Sequence, residues 1–239
     1  MLPSGVLLAG MLLVACKETP PPTFQQGMDA YMQGDYPTAM NVWRQLAEAG
    51  DPSAQTNVGL LYSQGKGVAQ DPAEAIKWYQ MAAKQGYMDA EYNLALLYRD
   101  GRGVEANVDE AIRWFQSAAE KGHLRAALRL GDIYYKGMGV QANPREAIKW
   151  YEIAANQRDP EAQVALGDIF ANGQGVPVDR VRAYFWYTVA FKPDDDAPIY
   201  LKARMGFIRL SGFMSSRELA EADLRVEEWR RGQRPVQRQ

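Results

Sequence analysis

The sequence predicts an all-α protein, a right-handed superhelical solenoid of helix-turn-helix repeats. Two observations predict this fold class. Four consecutive 36-residue segments align without a gap, and each carries apolar residues at helical spacing on both sides of a glycine-rich turn. The segments are 51–86, 87–122, 123–158 and 159–194. Because one helix pair cannot bury its own apolar face, successive pairs must stack and share a continuous core.

The first helix of each repeat is predicted by small and aliphatic residues spaced three and four apart. Alanine occupies position 4, an aliphatic residue position 8, a small residue position 9 and an aliphatic–aromatic pair positions 11 and 12. In the first repeat these residues are Ala54, Val58, Gly59, Leu61 and Tyr62. The small residues allow a neighbouring helix to approach closely.

A G-x-G-V turn ends each first helix, and the second helix begins a few residues later. Glycine suits the turn because it adopts the left-handed backbone that terminates a helix. In the first repeat Asp71 is the expected N-cap, Pro72 the first helical residue and Glu74 the returning acid. An aromatic pair such as Trp78-Tyr79 and an Ala-Ala pair then mark the buried face of the second helix.

Shorter units flank the repeats. Residues 24–50 lack the G-x-G-V turn but place Trp43 at the second aromatic position, so they are expected to cap the N-terminal end. Residues 194–231 are predicted to form two polar-faced capping helices, Pro198–Leu210 and one starting at Ser215, with Trp229 covering the last repeat. Residues 232–239 form a basic tail.

The repeat pattern resembles the Sel1-like repeat, a longer relative of the tetratricopeptide repeat, over most of residues 51–193. By analogy with the tetratricopeptide superhelix, the stripe near positions 6, 7, 10 and 13 of the first helices should face a concave groove. The candidate partner-binding residues are Asn57, Leu60, Tyr92, Asn93, Leu96, Arg99, Arg129, Asp132, Tyr135 and Asp168. Amide, guanidinium and apolar side chains there could hold an extended peptide. Alternatively, the asparagines at position 7 belong to the repeat itself and bond to a neighbouring loop.

Residues 1–15 are predicted to be a signal peptide. Their ten-residue apolar run, 6–15, is shorter than the roughly 17–25 residues of a membrane-spanning helix. The run ends in Leu-Val-Ala-Cys, which resembles the bacterial lipobox and implies lipidation at Cys16. Lys17 follows that cysteine, and the resemblance then implies the outer membrane, with the protein facing the periplasm. Residues 16–23 would be a proline-rich spacer.

Few residues could carry chemistry. The net charge of -2 argues against nucleic acid as a partner, and one cysteine and one histidine exclude the common metal and triad sites, so no metal or cofactor is expected. Ser63-Gln64-Gly65-Lys66 matches the S-x-x-K motif of penicillin-interacting enzymes but lacks its companion motifs. The paired glycines suit turns better than phosphate binding, since no third glycine follows. His123 fits a surface position and the acidic run 194–196 a solvated connector.

The sequence therefore predicts a non-catalytic scaffold, anchored to the bacterial envelope by lipid, that binds a protein or peptide partner in its groove. Two alternatives remain open. One is a cell-wall-related enzyme or penicillin-interacting protein that uses Ser63 and Lys66; the other is a cytosolic regulatory adaptor, if the lipobox is a coincidence. The oligomeric state and the identity of the partner do not follow from the sequence.

Overall fold

The computed structural model describes residues 21–193 and 195–232, and this part of the chain contains twelve helices and no strand. The all-helical solenoid predicted from the repeats is confirmed. The helices are α1 (Phe24–Met32), α2 (Tyr36–Glu48), α3 (Pro52–Gln64), α4 (Pro72–Lys84), α5 (Met88–Asp100), α6 (Val108–Glu120), α7 (Leu124–Lys136), α8 (Pro144–Asn156), α9 (Pro160–Asn172), α10 (Arg180–Ala190), α11 (Pro198–Ser211) and α12 (Ser216–Gly232). The signal peptide, Cys16, Asp194 and most of the basic tail lie outside the described residues.

Each repeat pairs a first helix (α3, α5, α7 or α9) with a second helix (α4, α6, α8 or α10), and each pair packs against the next. The second helices all begin with the same cap. An Asp or Asn side chain accepts a hydrogen bond from the backbone N–H three residues later, as Asp71 does from Glu74 at 3.0 Å. The first helices all end at a glycine in the left-handed conformation, such as Gly65 with φ of 69°.

The second glycine of each turn has a separate role, which the sequence analysis did not identify. A Cβ atom on Gly103 would lie 2.6 Å from the backbone of Pro72 and Ala73, at the first turn of the preceding second helix. Gly67, Gly139 and Gly175 approach the starts of α2, α6 and α8 in the same way. The turns therefore stack on the preceding unit, and a side chain at this position would prevent that stacking.

The core consists of large aromatic rings packed against small residues. Tyr79, Phe115, Tyr151 and Tyr187, at position 29 of the four repeats, are at most 2% exposed. In repeats 1, 3 and 4 the ring lies against the position 9 glycine of its own first helix, where a Cβ atom would come within 3 Å of it. Trp43 lies against Gly27 in the same way, so α1 and α2 repeat this packing without a G-x-G-V turn.

The C-terminal helices pack against the fourth repeat, and α11 exposes apolar side chains. Helix α12 packs on α10, and the ring of Trp229 meets Phe185 edge-to-face at 6.4 Å. Helix α11 packs on α9 and α10, and within the described residues α12 does not pair closely with it. Leu201, Met205 and Ile208 on α11 are consequently exposed, Met205 by 73%.

Candidate functional site

The ten candidate groove residues lie on α3, α5, α7 and α9, and all of them are half-buried. We call this half-buried stripe the groove face. Position 6, which the sequence analysis also assigned to the stripe, is mostly internal: Thr56, Leu128 and Val164 are buried, and Tyr92 is its one half-buried member. Position 6 lies only about 60° from the buried position 9 on the helical surface, which explains the difference.

The N-terminal half of the groove face carries two asparagine side chains without a hydrogen-bond partner in the described part of the chain. The amides of Asn57 and Asn93 form no hydrogen bond with any other residue that the structure describes. The alternative interpretation, in which these asparagines bond to a neighbouring loop, therefore has no support. Leu60 and Leu96 lie three residues further along the same helices, and Leu96 packs at the edge of the core. This half offers open amides beside apolar side chains.

The middle of the groove face is held by aromatic stacking. Tyr92 stacks on His123 of the next repeat, with ring centroids 4.4 Å apart. Arg129 also approaches Tyr92. Burial by itself lowers the pKa of Arg129, but the hydrogen bond to Tyr92 and the nearby Asp132 carboxylate together outweigh burial and raise the pKa. Arg99 pairs with its neighbour Asp100, with Nε 2.7 Å from Oδ1. The two arginines predicted to contact a partner are thus already oriented by internal contacts.

His123 has a structural role at the start of α7. Its Nδ1 accepts a hydrogen bond from the backbone N–H of Ala126 at 3.1 Å, so the ring is the N-cap of this helix. Nε2 lies 3.4 Å from Oδ1 of Asp89. Burial lowers the pKa of His123, and Asp89 only partly opposes that effect, so the ring is neutral at pH 7.

The C-terminal half of the groove face is a connected polar network. The Asp132 carboxylate accepts a hydrogen bond from the Tyr151 hydroxyl at 3.0 Å and pairs with Lys136 Nζ at 3.1 Å and Arg129 Nη1 at 3.4 Å. Tyr135 donates to Gln174 of the next repeat. These side chains therefore already form hydrogen bonds or ion pairs with other residues of the protein.

Repeat 4 reproduces this arrangement. The Tyr187 hydroxyl donates to Asp168 Oδ1 at 2.6 Å, and Lys202 Nζ lies 2.5 Å from Asp168 Oδ2. Burial, followed by the neighbouring aspartate, raises the pKa values of Tyr151 and Tyr187 far above the ordinary range. Both phenols therefore remain protonated and keep donating to the carboxylates at physiological pH.

Helix α11 contributes a part of the site that was not predicted from the sequence. A cleft of about 790 Å³ lies at the C-terminal end of the groove face, bounded by Asp168 and Tyr187 on one side and by α11 on the other. The α11 residues that line it include Leu201, Met205 and Ile208. These three residues are four and three residues apart in the sequence, but the prediction of a polar-faced cap did not take that apolar spacing into account.

Ser63 and Lys66 do not form a nucleophile–base pair. Ser63 is 7% exposed. Lys66 instead points to Tyr31 and Tyr36, with Nζ 3.1 Å from the Tyr31 hydroxyl and about 5 Å from both ring centroids. The hydrogen bond to Tyr31 raises the pKa of Lys66, which is the wrong direction for a lysine that must accept a proton.

Other common functional features are lacking in what the structure describes. Over residues 21–193 and 195–232 no group of three or more His, Cys, Asp or Glu side chains is placed to hold a metal ion. Within the same ranges no helix combines the length and the apolar character that crossing a membrane requires. The candidate site is therefore the groove face with its adjoining cleft, a surface that offers both apolar and polar side chains.

Comparison with known proteins matches this geometry. A family model described as the Sel1 repeat matches residues 52–87, 89–123, 124–159 and 160–192. A Sel1 repeat protein from Oxalobacter formigenes is 31% identical, with 84% of each chain covered and a TM-score of 0.70. No curated protein sequence matches the chain.

Two further solved structures are similar. One is a protective antigen of uropathogenic Escherichia coli with an SLR fold, 28% identical with a TM-score of 0.43, covering 84% of this chain and 51% of that one. The other is a Sel1 repeat protein from Klebsiella pneumoniae, 20% identical with a TM-score of 0.50, covering 79% and 91%. The second likeness concerns the fold alone.

Proposed function

The chain belongs to the Sel1 repeat family, whose members are generally protein–protein interaction scaffolds, and we propose that it captures an extended segment of a partner protein on the groove face. The observation that carries this proposal is the pair of unused amides, Asn57 and Asn93, at the same position of successive repeats. An amide offers both a donor and an acceptor, which is what the backbone of an extended peptide requires.

The neighbouring side chains supply the apolar part of the interaction. Leu60 and Leu96 follow the asparagines on α3 and α5, and the half-buried Tyr92 lies beside them on α5. A partner segment would place alternate side chains on these residues while its backbone bonds to the amides. Specificity would come from Arg99 and Arg129, whose charges favour an acidic residue in the partner.

A double substitution separates binding from folding. Asn57→Ala with Asn93→Ala removes no hydrogen bond formed among the residues that the structure describes, so the melting temperature should stay within a few degrees of the parent value. Capture of the partner, detected by a photo-crosslinking residue in place of Leu96, should fall about tenfold. Asn156→Ala, an exposed asparagine at the end of α8, is the matched control and should leave capture intact. Undiminished capture by the double variant would refute the groove assignment.

We also propose that the protein is a lipoprotein of the bacterial outer membrane that faces the periplasm, with Cys16 carrying the lipid. The support is the ten-residue apolar run, the lipobox-like sequence that ends at Cys16, the following Lys17 and the proline-rich residues 20–22. This anchor would place the groove face in the envelope, where its partner would also be found.

Intact-mass measurement with membrane fractionation tests the anchor. After expression in a Gram-negative host, the expected species is a chain that begins at acylated Cys16 and sediments with the outer membrane. Cys16→Ala should block both processing and acylation. A soluble chain that retains Met1 would remove the envelope location and leave a cytosolic adaptor, with the groove proposal unaffected.

A further inference from the structure

Helix α11 has an apolar face that no part of the described chain covers. Leu201, Met205 and Ile208 are 41%, 73% and 53% exposed. At about 100° per residue these three side chains fall within roughly 60° of one another on the helix surface. In each repeat the first helix packs closely with a second helix, whereas α12 packs on α10 and leaves α11 without this partner.

Basic residues border this apolar face on both edges. Lys202 and Arg209 lie roughly 80–100° to one side of Leu201, and Arg204 lies roughly 60° to the other. Helix α11 contains no acidic residue. Lys202 pairs with Asp168, whereas Arg204 and Arg209 form no ion pair with any residue in the described part of the chain.

We infer that the α11 face binds an acidic amphipathic helix of a partner protein. A helix with leucine-like residues at i, i+3, i+4 and i+7 would lie along Leu201, Met205 and Ile208, filling the cleft of about 790 Å³ next to Asp168. Carboxylates on the two edges of that helix would meet Arg204 and Arg209. The flexible side chain of Met205 can adapt to different apolar partners. This inference rests on the proposed scaffold function and specifies the partner's chemistry at one end of the groove face.

The charges make other occupants unfavourable. A second copy of the chain would bring two sets of Lys202, Arg204 and Arg209 together, and like charges across an interface are repulsive. The chain's own residues 233–239 carry Arg234 and Arg238 and no acidic residue, so the same repulsion applies to them. A partner helix with acidic edges meets neither obstacle.

Fluorescence anisotropy of two labelled peptides on the full-length chain tests the inference. Both are synthetic amphipathic helices of about 18 residues with the same leucine stripe; one has glutamate on both edges and the other has lysine. We expect the glutamate peptide to bind at least about tenfold more tightly, with an affinity that falls as salt rises. The double variant Arg204→Glu with Arg209→Glu should reverse this preference. Equal binding of the two peptides, or no binding, would overturn the inference.

A matched pair of methionine substitutions localises the binding. Met205→Glu should abolish it, whereas Met32→Glu, at a methionine that is 78% exposed at the end of α1, should not. An equal loss in both variants would overturn the assignment to α11. A dimer that Met205→Glu dissociates in sedimentation would instead assign this face to a second copy. Partner crosslinking through Leu96 reports on the scaffold proposal separately, so the two failures are distinguishable.

Discussion

The two halves of the groove face are built on the same repeat but use their polar groups in opposite ways. In repeats 3 and 4, position 10 is an aspartate, Asp132 or Asp168, that accepts a hydrogen bond from the buried tyrosine at position 29 of its own repeat. In repeats 1 and 2 the same position is a leucine, Leu60 or Leu96. The C-terminal half is therefore tied into the core, whereas the N-terminal half keeps its amides open.

Among repeats 2, 3 and 4, positions 9, 10 and 29 vary together, whereas repeat 1 combines Gly59 and Tyr79 with Leu60. Where the ring is the tethered Tyr151 or Tyr187, position 9 is glycine and a Cβ atom there would come within 2.4–2.7 Å of the ring. In repeat 2 the ring is Phe115, which has no hydroxyl to tether, and position 9 is Ala95. We expect a ring held by a carboxylate to resist displacement by a methyl group more than a ring without that hydrogen bond.

The largest expected effect comes from Gly131→Ala. Its Cβ atom would lie 2.4 Å from Tyr151 Cε1, and the bond to Asp132 holds this ring in place. We expect a loss of about 3 kcal/mol in the free energy of unfolding, measured by urea denaturation. In a Tyr151→Phe background the loss should be clearly smaller, because the ring is then free as in repeat 2. Additive effects of the two substitutions would show that the tether does not fix the ring.

A smaller effect is expected when the C-terminal arrangement is transferred to repeat 2. Phe115→Tyr adds a hydroxyl to a fully buried ring in a repeat whose position 10 is Leu96 rather than an aspartate, and we expect a cost of about 2 kcal/mol. Adding Leu96→Asp supplies the missing carboxylate, so the double variant should be more stable than the sum of the single changes predicts. Denaturation curves of the parent chain, the two single variants and the double variant give the double-mutant cycle. A cycle without coupling would contradict the link between positions 10 and 29.

The smallest effect concerns His123, where the two halves meet. Its folded-state pKa is lowered, mainly by burial, so the unfolded chain binds the proton more readily. Stability should therefore fall as the pH drops from about 6.5, the ordinary histidine value, through the lower folded-state value. His123→Asn keeps a capping acceptor but cannot titrate, and its melting temperature should decline less over the same range. Identical pH profiles for the parent chain and the variant would contradict this assignment.

Much of the architecture could be predicted because it is encoded locally. Asp71 followed by Pro72 and Glu74 specifies a helix start, and Gly65 specifies a helix end. Both signals act locally and do not depend on distant parts of the chain. The exposed stripe was predicted less well, since Thr56, Leu128 and Val164 turned out to be buried. Their burial depends on how closely the neighbouring helices approach, which helical periodicity alone does not specify.

The sequence by itself determined the repeat, its helix boundaries and the residue types of the groove face, because capping and apolar spacing act within a few residues. Only the tertiary structure decided which of those polar groups remain available. Asn93 and Asp132 are both half-buried polar residues of a first helix. Asn93 has no hydrogen-bond partner among the residues that the structure describes, whereas Asp132 accepts a hydrogen bond from Tyr151, 19 residues away. The exposure of α11 was decided in the same way, since it depends on α12 packing against α10 instead. Such pairings depend on how whole helices are placed, which no local pattern records.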